Sequence, residues 1–101
     1  MYEETRNYLA QNEGKTINIT GKKSKVLWQH SLTYIKSHPY QSYFDLKDGY
    51  QIIIYTNEEI TCKGMLEVKG KVIRIKSIKD EASKANDLVE YHIIVNSWKC
   101  L

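Results

Sequence analysis

The sequence of 101 residues has little cysteine, a single proline and no long apolar run. Its two cysteines, Cys62 and Cys100, are 38 positions apart with no CxxC pair, which excludes a zinc ribbon and gives no disulfide framework. No stretch approaches the ~18 apolar residues of a membrane span, and the N-terminus MYEETRNYLA has no apolar signal core. We therefore expect an intracellular, cytoplasmic protein without a membrane partner, in which both thiols are free.

Signatures of catalysis are missing as well. The chain contains no GxSxG, no HExxH and no glycine-rich phosphate loop. Asp45 and Asp48 lie three positions apart, but an Asp-Gly turn accounts for Asp48 and no catalytic base accompanies the pair. The histidines His30, His38 and His92 have no ligand spacing with either cysteine. We therefore expect a protein that is not an enzyme and that needs neither a metal nor a cofactor.

Charge is unevenly distributed along the chain, although the total of +3 is mild. Residues 15–78 carry eleven Lys or Arg against five Asp or Glu, a balance of +6, while the flanks carry four against seven, a balance of −3. Such a basic segment fits either ordinary solvated surface or a polyanionic partner. Thirteen of the fifteen basic residues are lysine, which attracts phosphate as a point charge but does not read guanine as arginine does. A nucleic-acid ligand would therefore be bound with little sequence specificity.

Hydrophobic spacing predicts an N-terminal helix followed by strands. Residues 2–12 have helical spacing with acidic residues early in the segment, which predicts a short helix within an extension of residues 1–14. From Lys15 onward, apolar residues recur at every second position, as they do in strands. Residues 15–101 are therefore expected to form one all-β domain of five strands. The first and fourth strands each contain a central glycine, Gly21 and Gly70, of the kind that bends a strand when a sheet closes into a barrel.

The second and third strands form a predicted hairpin over residues 42–56, with large side chains on both faces. Its turn is Asp48-Gly49, the strongest hairpin signal in the sequence. Alternation directs one apolar set inward, comprising Phe44, Leu46, Ile52 and Ile54. It directs the other set outward, comprising Tyr43, Asp45, Lys47, Gln51, Ile53 and Tyr55. A slip of one residue in register would exchange the two sets.

Three connections complete the predicted order of elements. Residues 31–39 form a loop between the first two strands, and residues 79–89 form a polar loop before the last strand. Between the third and fourth strands, Asn57 is a predicted N-cap, two glutamates follow it, and Gly64 is a C-terminal stop. We therefore predict a helix of one or two turns between these strands.

With these elements the chain resembles the OB-fold, in particular replication protein A-like single-strand binders and the anticodon-binding domains of class II tRNA synthetases. The resemblance covers residues 15–98 and rests on INITGK, YFDLKDG and LEVKGKVIRI. It implies a five-stranded Greek-key barrel that binds a nucleic-acid strand across its second and third strands, between the loops that join strands one to two and four to five. These motifs are mechanical features of the barrel, and OB-folds also bind proteins, so they inform the fold more than the function.

The resemblance also implies which residues bind. Outward Tyr43 and Tyr55 would stack on bases while Lys47 contacts phosphate; alternatively, the tyrosines stabilise the sheet through cross-strand pairs. Trp28 either stacks on a base or closes the barrel end. The remaining candidates are basic or lie in the loop between the first two strands: Lys22, Tyr34, Lys36, Lys69, Lys71 and Arg74.

The predicted function is weakly specific binding of single-stranded nucleic acid, DNA in preference to RNA. The alternative is an interaction module, in which the barrel docks on other subunits of a replication or RNA-processing assembly. A basic groove that bears tyrosines would favour nucleic acid, whereas a flat apolar patch centred on Ile53 would favour a protein partner.

Overall fold

The computed structural model describes residues 3–26, 30, 33–76 and 89–101, which contain one helix and five strands. The elements are α1 (Glu3–Gln11), β1 (Thr16–Lys23), β2 (Tyr40–Leu46), β3 (Gln51–Thr56), β4 (Leu66–Lys76) and β5 (Val89–Cys100). The predicted N-terminal helix and five strands are confirmed. Most of the polar loop predicted over residues 79–89 lies outside the described residues. Within the described part of the chain, no helix has the length and apolar character needed to span a bilayer.

The five strands close into a mixed barrel. Their order around the barrel is β1-β2-β3-β5-β4, and β4 pairs again with β1. Neighbouring strands are antiparallel except β3 and β5, which are parallel with Ile54 opposite Ile93. The predicted closed five-stranded barrel is therefore confirmed, and its strand order is compatible with the OB-fold.

Inward side chains from all five strands fill the barrel, and Leu9 and Ile60 join this core from outside the sheet. The inward set of the β2–β3 hairpin is buried as predicted. Leu9 of α1 is fully buried at the end where Thr5 donates a hydrogen bond to Asp48 in the β2–β3 turn. Ile60 joins the same core from the segment after β3, where its carbonyl accepts a hydrogen bond from Lys23 at the end of β1. The strand directions place Leu9 and Ile60 at opposite ends.

Local backbone chemistry explains the turn and the bends. Gly49 has φ of +89°, a conformation that side-chain-bearing residues rarely adopt, and Asp48 accepts a hydrogen bond from the Tyr50 amide at 2.9 Å. The β4–β5 register shifts between Lys69 and Gly70, so the bulge predicted at Gly70 is confirmed. Gly21 pairs with both β2 and β4, and at this point β1 passes from one partner to the other.

The helix predicted between the third and fourth strands was wrong. Residues 57–65 have no helical turn. Thr56 donates a side-chain hydrogen bond to the Glu58 carbonyl at 2.6 Å, and Ile60 turns into the core. A helix this short gains little from its own hydrogen bonds. Burial of Ile60 therefore determines the path of the segment. Asn57 and Gly64, the predicted N-cap and C-terminal stop, do not flank a helix.

The expectation of free thiols was also wrong. Cys62, in the segment after β3, forms a disulfide with Cys100 at the end of β5, with Cα atoms 5.5 Å apart. The bond fastens the C-terminal strand to the segment that carries Ile60. Disulfides persist mainly in oxidising compartments. A disulfide is therefore not what a reducing cytoplasm favours. The cytoplasmic location inferred from the sequence stays a prediction.

We predict that replacing either barrel glycine destabilises the fold. A Cβ at Gly70 would meet the Ile94 carbonyl oxygen, and one at Gly21 would meet the Asp45 carbonyl oxygen, each closer than real Cβ atoms approach. Gly70→Ala and Gly21→Ala should each lower the free energy of unfolding by about 1–3 kcal/mol in urea denaturation. Gly64→Ala is the matched control, because nothing lies within 4 Å of its added Cβ. Equal stability of all three variants would contradict the close packing.

Reduction of the disulfide should destabilise the protein more than any surface substitution. In the chain-entropy account, opening a loop of 38 residues costs roughly 4 kcal/mol. The Cys62→Ser/Cys100→Ser double variant and the protein in reductant should both show this loss in urea denaturation. Thiol titration of the native protein unfolded without reductant should find no thiol. Two reactive thiols would show that the bond does not form.

Candidate functional site

The outer side of β3 is covered, although alternation predicts that it faces solvent. Ile53 and Tyr55 point away from the core cluster, yet both are fully buried. Ile52 and Ile54 fill the barrel from the other side of the same strand. β3 is therefore buried on both faces, which is unusual for a strand whose neighbour β2 is antiparallel.

The cover is the loop between β1 and β2, residues 24–39, hereafter the covering loop, of which residues 24–26, 30 and 33–39 are described. Near its start, the Val26 carbonyl accepts a hydrogen bond from the Gln51 side chain at 2.7 Å. Further along, the Thr33 amide lies 3.4 Å from the Tyr55 hydroxyl. Near its end, His38 Nε2 donates to the Val95 carbonyl at 3.0 Å. The described residues of the covering loop therefore contact β3 from Gln51 to Tyr55 and also reach β5.

Beneath the covering loop, Tyr55 makes a buried polar contact with β5. Its hydroxyl lies 2.8 Å from Nδ1 of His92, which is itself fully buried. Burial raises the pKa of the Tyr55 hydroxyl, so the phenol stays protonated. Burial also lowers the pKa of His92, against the opposing effect of Glu90, so the imidazole is neutral near pH 7. The pair is a neutral hydrogen bond in a site closed to bulk water.

Tyr43 and Tyr55, predicted to form a stacking platform, do not present two open rings in this structure, and their part in ligand binding stays a prediction. The Tyr55 ring is covered and has no face open to a base. Tyr43 is half-buried, and its ring meets the edge of His30 with centroids 5.7 Å apart and planes at 61°. The outward direction of both side chains is as predicted, but the chain's own loop occupies the surface that a ligand was expected to occupy.

Three titratable side chains meet at the same place, under and beside the covering loop. His30 Nδ1 lies 2.7 Å from Glu90 Oε1, and His92 Nε2 lies 3.2 Å from the same oxygen. His30 Nε2 lies 2.9 Å from Gln51 Oε1. The ligand atoms of the two histidines and Glu90 are all within 4.8 Å of one another. We call these three residues the His–Glu–His cluster.

The remaining predicted site residues are distributed around the barrel. Tyr34 and Lys36 are exposed on the covering loop, with Tyr34 71% exposed. Lys69 and Lys71 are exposed on β4, opposite Asn18 and Thr16 of β1. β1 separates β4 from β2, and β5 separates β4 from β3, so these lysines are not beside the β2–β3 hairpin. Trp28 lies outside the described residues. Basic side chains at strand ends or beyond the β4 bulge are also exposed: Lys22 and Arg74.

Lys47 lines a separate groove of about 540 Å³ between α1 and the β2–β3 turn. Glu4 and Asp48 line the same groove, so its charge is mixed and does not favour phosphate. The structure therefore does not gather the predicted residues into one basic groove. It leaves Tyr34 and Lys36 together on the covering loop and the other basic residues on separate surfaces.

Sequence reasoning missed the His–Glu–His cluster because its members come from distant segments. Glu90 and His92 are two positions apart on β5 and so share a face, which is a signal that alternation could have revealed. His30 is 60 residues away from Glu90 and gives no linear signal.

Comparison with models of protein families, with curated proteins and with solved structures found no match for this chain.

We predict that the Tyr55 hydroxyl stabilises the covered face. Tyr55→Phe leaves His92 and the Thr33 amide without this partner, which should lower the free energy of unfolding by about 1–3 kcal/mol. Tyr43→Phe is the matched control on the neighbouring strand, because the Tyr43 hydroxyl makes no hydrogen bond within the described part of the chain. Urea denaturation compares the two. Equal stabilities would show that the buried hydroxyl contributes nothing.

Proposed function

We propose that this protein is a binding module, not an enzyme, that binds single-stranded nucleic acid weakly and without sequence preference through the outer surface of the covering loop. The observation that carries the proposal is the exposure of Tyr34, 71% of whose surface is open, two residues before the exposed Lys36. A large exposed aromatic ring beside a lysine offers stacking and phosphate attraction together. Tyr40, at the start of β2, adds a second ring that is 46% exposed.

The fold supports this placement. The closed barrel has the strand order of an OB-fold, and we propose that it belongs to that fold. OB-folds bind strands of nucleic acid with β2, β3 and the loop between β1 and β2. In this chain that loop covers β3, so the accessible part of the usual surface is the loop itself and the start of β2. The binding surface is therefore shifted outward from Tyr43 and Tyr55 to Tyr34, Lys36 and Tyr40.

Protein docking at this face has less support. An apolar patch centred on Ile53 would have favoured a protein partner, but Ile53 is fully buried. Within the described residues, the large apolar side chains that are exposed are distributed over α1, the covering loop, the start of β2 and the C-terminus: Tyr8, Val26, Tyr34, Tyr40 and Leu101. The interaction-module alternative is thus an outcome of the binding test and not a second proposal.

The test is fluorescence anisotropy with labelled oligothymidine and oligouridine of about 15 nucleotides, near the upper site size of one OB-fold. Tyr34→Ala should weaken binding by about 1–3 kcal/mol, whereas Tyr34→Phe keeps the ring and should cost far less. Lys36→Ala should weaken binding to every sequence alike and reduce the slope of log affinity against log salt by about 0.7.

Tyr8→Ala is the matched control, because Tyr8 is an exposed tyrosine on α1, which packs beside the β2–β3 turn, whereas Tyr40 pairs with Thr56 at the other end of β3. It should bind as the parent does. A folded Tyr34→Ala variant that binds as tightly as the parent would exclude the covering loop as the ligand surface. A parent protein that binds neither strand at low salt would overturn the nucleic-acid proposal and favour a protein partner.

A further inference from the structure

The His–Glu–His cluster has the donor set of a transition-metal site. Two imidazoles and one carboxylate are ligands that Zn²⁺ accepts, with three protein ligands and a water completing four-coordination. Here His30 offers Nδ1, His92 offers Nε2, and Glu90 Oε1 lies between them at 2.7 and 3.2 Å. The cluster is separate from Tyr34, Lys36 and Tyr40, the residues on which the nucleic-acid proposal rests.

Hydrogen bonds outside the cluster fix which nitrogen of His30 faces inward. The Gln51 Nε2 donates to the Val26 carbonyl at 2.7 Å and to Asp45 Oδ1 at 3.0 Å. Both partners are acceptors, so the amide orientation is set and Gln51 Oε1 must accept. His30 Nε2, 2.9 Å from that oxygen, therefore carries a proton and donates it. In the neutral ring, Nδ1 then presents a lone pair toward Glu90.

A lone pair facing a carboxylate oxygen at 2.7 Å is repulsive unless a cation lies between them. Either a proton or a metal ion can supply that positive charge. His92 Nε2 faces the same oxygen, and its other nitrogen, Nδ1, contacts the Tyr55 hydroxyl at 2.8 Å. Histidines that bind metals typically use their second nitrogen for such an outer hydrogen bond, which orients the ring. Both histidines of the cluster have this arrangement.

The ligand atoms have to adjust to accept zinc, and one of the distances already fits. With Zn–N and Zn–O bonds of about 2.0–2.1 Å, neighbouring ligand atoms of a tetrahedral site are about 3.3 Å apart. His92 Nε2 is already 3.2 Å from Glu90 Oε1. His30 Nδ1, now 2.7 Å from Glu90 Oε1, has to move about half an ångström away from that oxygen. The two histidine nitrogens, which lie within 4.8 Å of each other, have to reach about 3.3 Å. His30 belongs to a loop, so this movement does not distort the sheet.

We propose that His30, Glu90 and His92 bind one divalent transition-metal ion of the zinc class. The His30 and Glu90 side chains are 13% and 25% exposed, whereas His92 is fully buried, so the ion enters from the side of Glu90 and keeps a water there. The bound ion joins the covering loop to β5 directly above Tyr55. It therefore holds the covering loop closed over the outer face of β3.

The test is isothermal titration of the native protein with zinc sulfate, without reductant so that Cys62 and Cys100 stay paired and offer no thiolate. The parent should bind one ion per chain, and Co²⁺ in its place should give the visible absorption of a tetrahedral site. At free zinc 100-fold above Kd, the Tm should rise by about 10 °C or more.

The variants separate this site from stray surface binding. His30→Gln and Glu90→Gln each remove one ligand at a partly exposed position and should weaken zinc binding by about 100-fold, since loss of an outer partner alone costs about 10–100-fold. His38→Gln is the matched control, because His38 Nε2 contacts the Val95 carbonyl and not the cluster. Zinc that binds all four proteins equally, or a parent that binds no stoichiometric zinc at micromolar concentration, would overturn the proposal. The cluster would then be a hydrogen-bond network only.

Discussion

The hydrogen bond between the Tyr55 hydroxyl and His92 Nδ1 joins two parallel strands on the outer side of the barrel. Tyr55 lies opposite Ile94 of β5, and His92, two residues earlier on β5, points to the same outer side. A buried hydroxyl and a buried imidazole each cost about 1–3 kcal/mol if left without a partner. Once the pair is formed, a cover that excludes water strengthens it. The covering loop supplies that cover and adds its own hydrogen bonds through Thr33 and His30.

Features that depend on neighbouring residues could be predicted from the sequence. The Asp48-Gly49 turn, the inward set of the hairpin and the bend at Gly70 each follow from local chemistry or from alternation. Alternation states on which side of a sheet a residue lies, but it does not state what lies above that side. The burial of Tyr55 depends on a loop 22 residues earlier in the chain, through the Thr33 amide. For the same reason the sequence could not place His30 beside Glu90.

The segment after β3 shows the same limit in another form. Its capping residues favour a helix, whereas burial of Ile60 and pairing of Cys62 with Cys100 require an irregular path. The tertiary contacts prevail, because one or two helical turns contribute little stability by themselves. The covering loop also separates Tyr55 from the exposed tyrosines Tyr34 and Tyr40. Tyr55 serves the fold, while Tyr34 and Tyr40 remain available to a ligand in the proposed account.

Nitration by tetranitromethane, located by peptide mass spectrometry, measures most directly whether the covering loop lies on β3. The reagent attacks the phenolate, so burial of Tyr55 and its raised pKa should both slow the reaction. In the folded protein we expect Tyr34 and Tyr40 to be nitrated rapidly and Tyr55 to remain unmodified until the protein is unfolded. Nitration of Tyr55 as fast as that of Tyr34 in the folded protein would contradict the covered face.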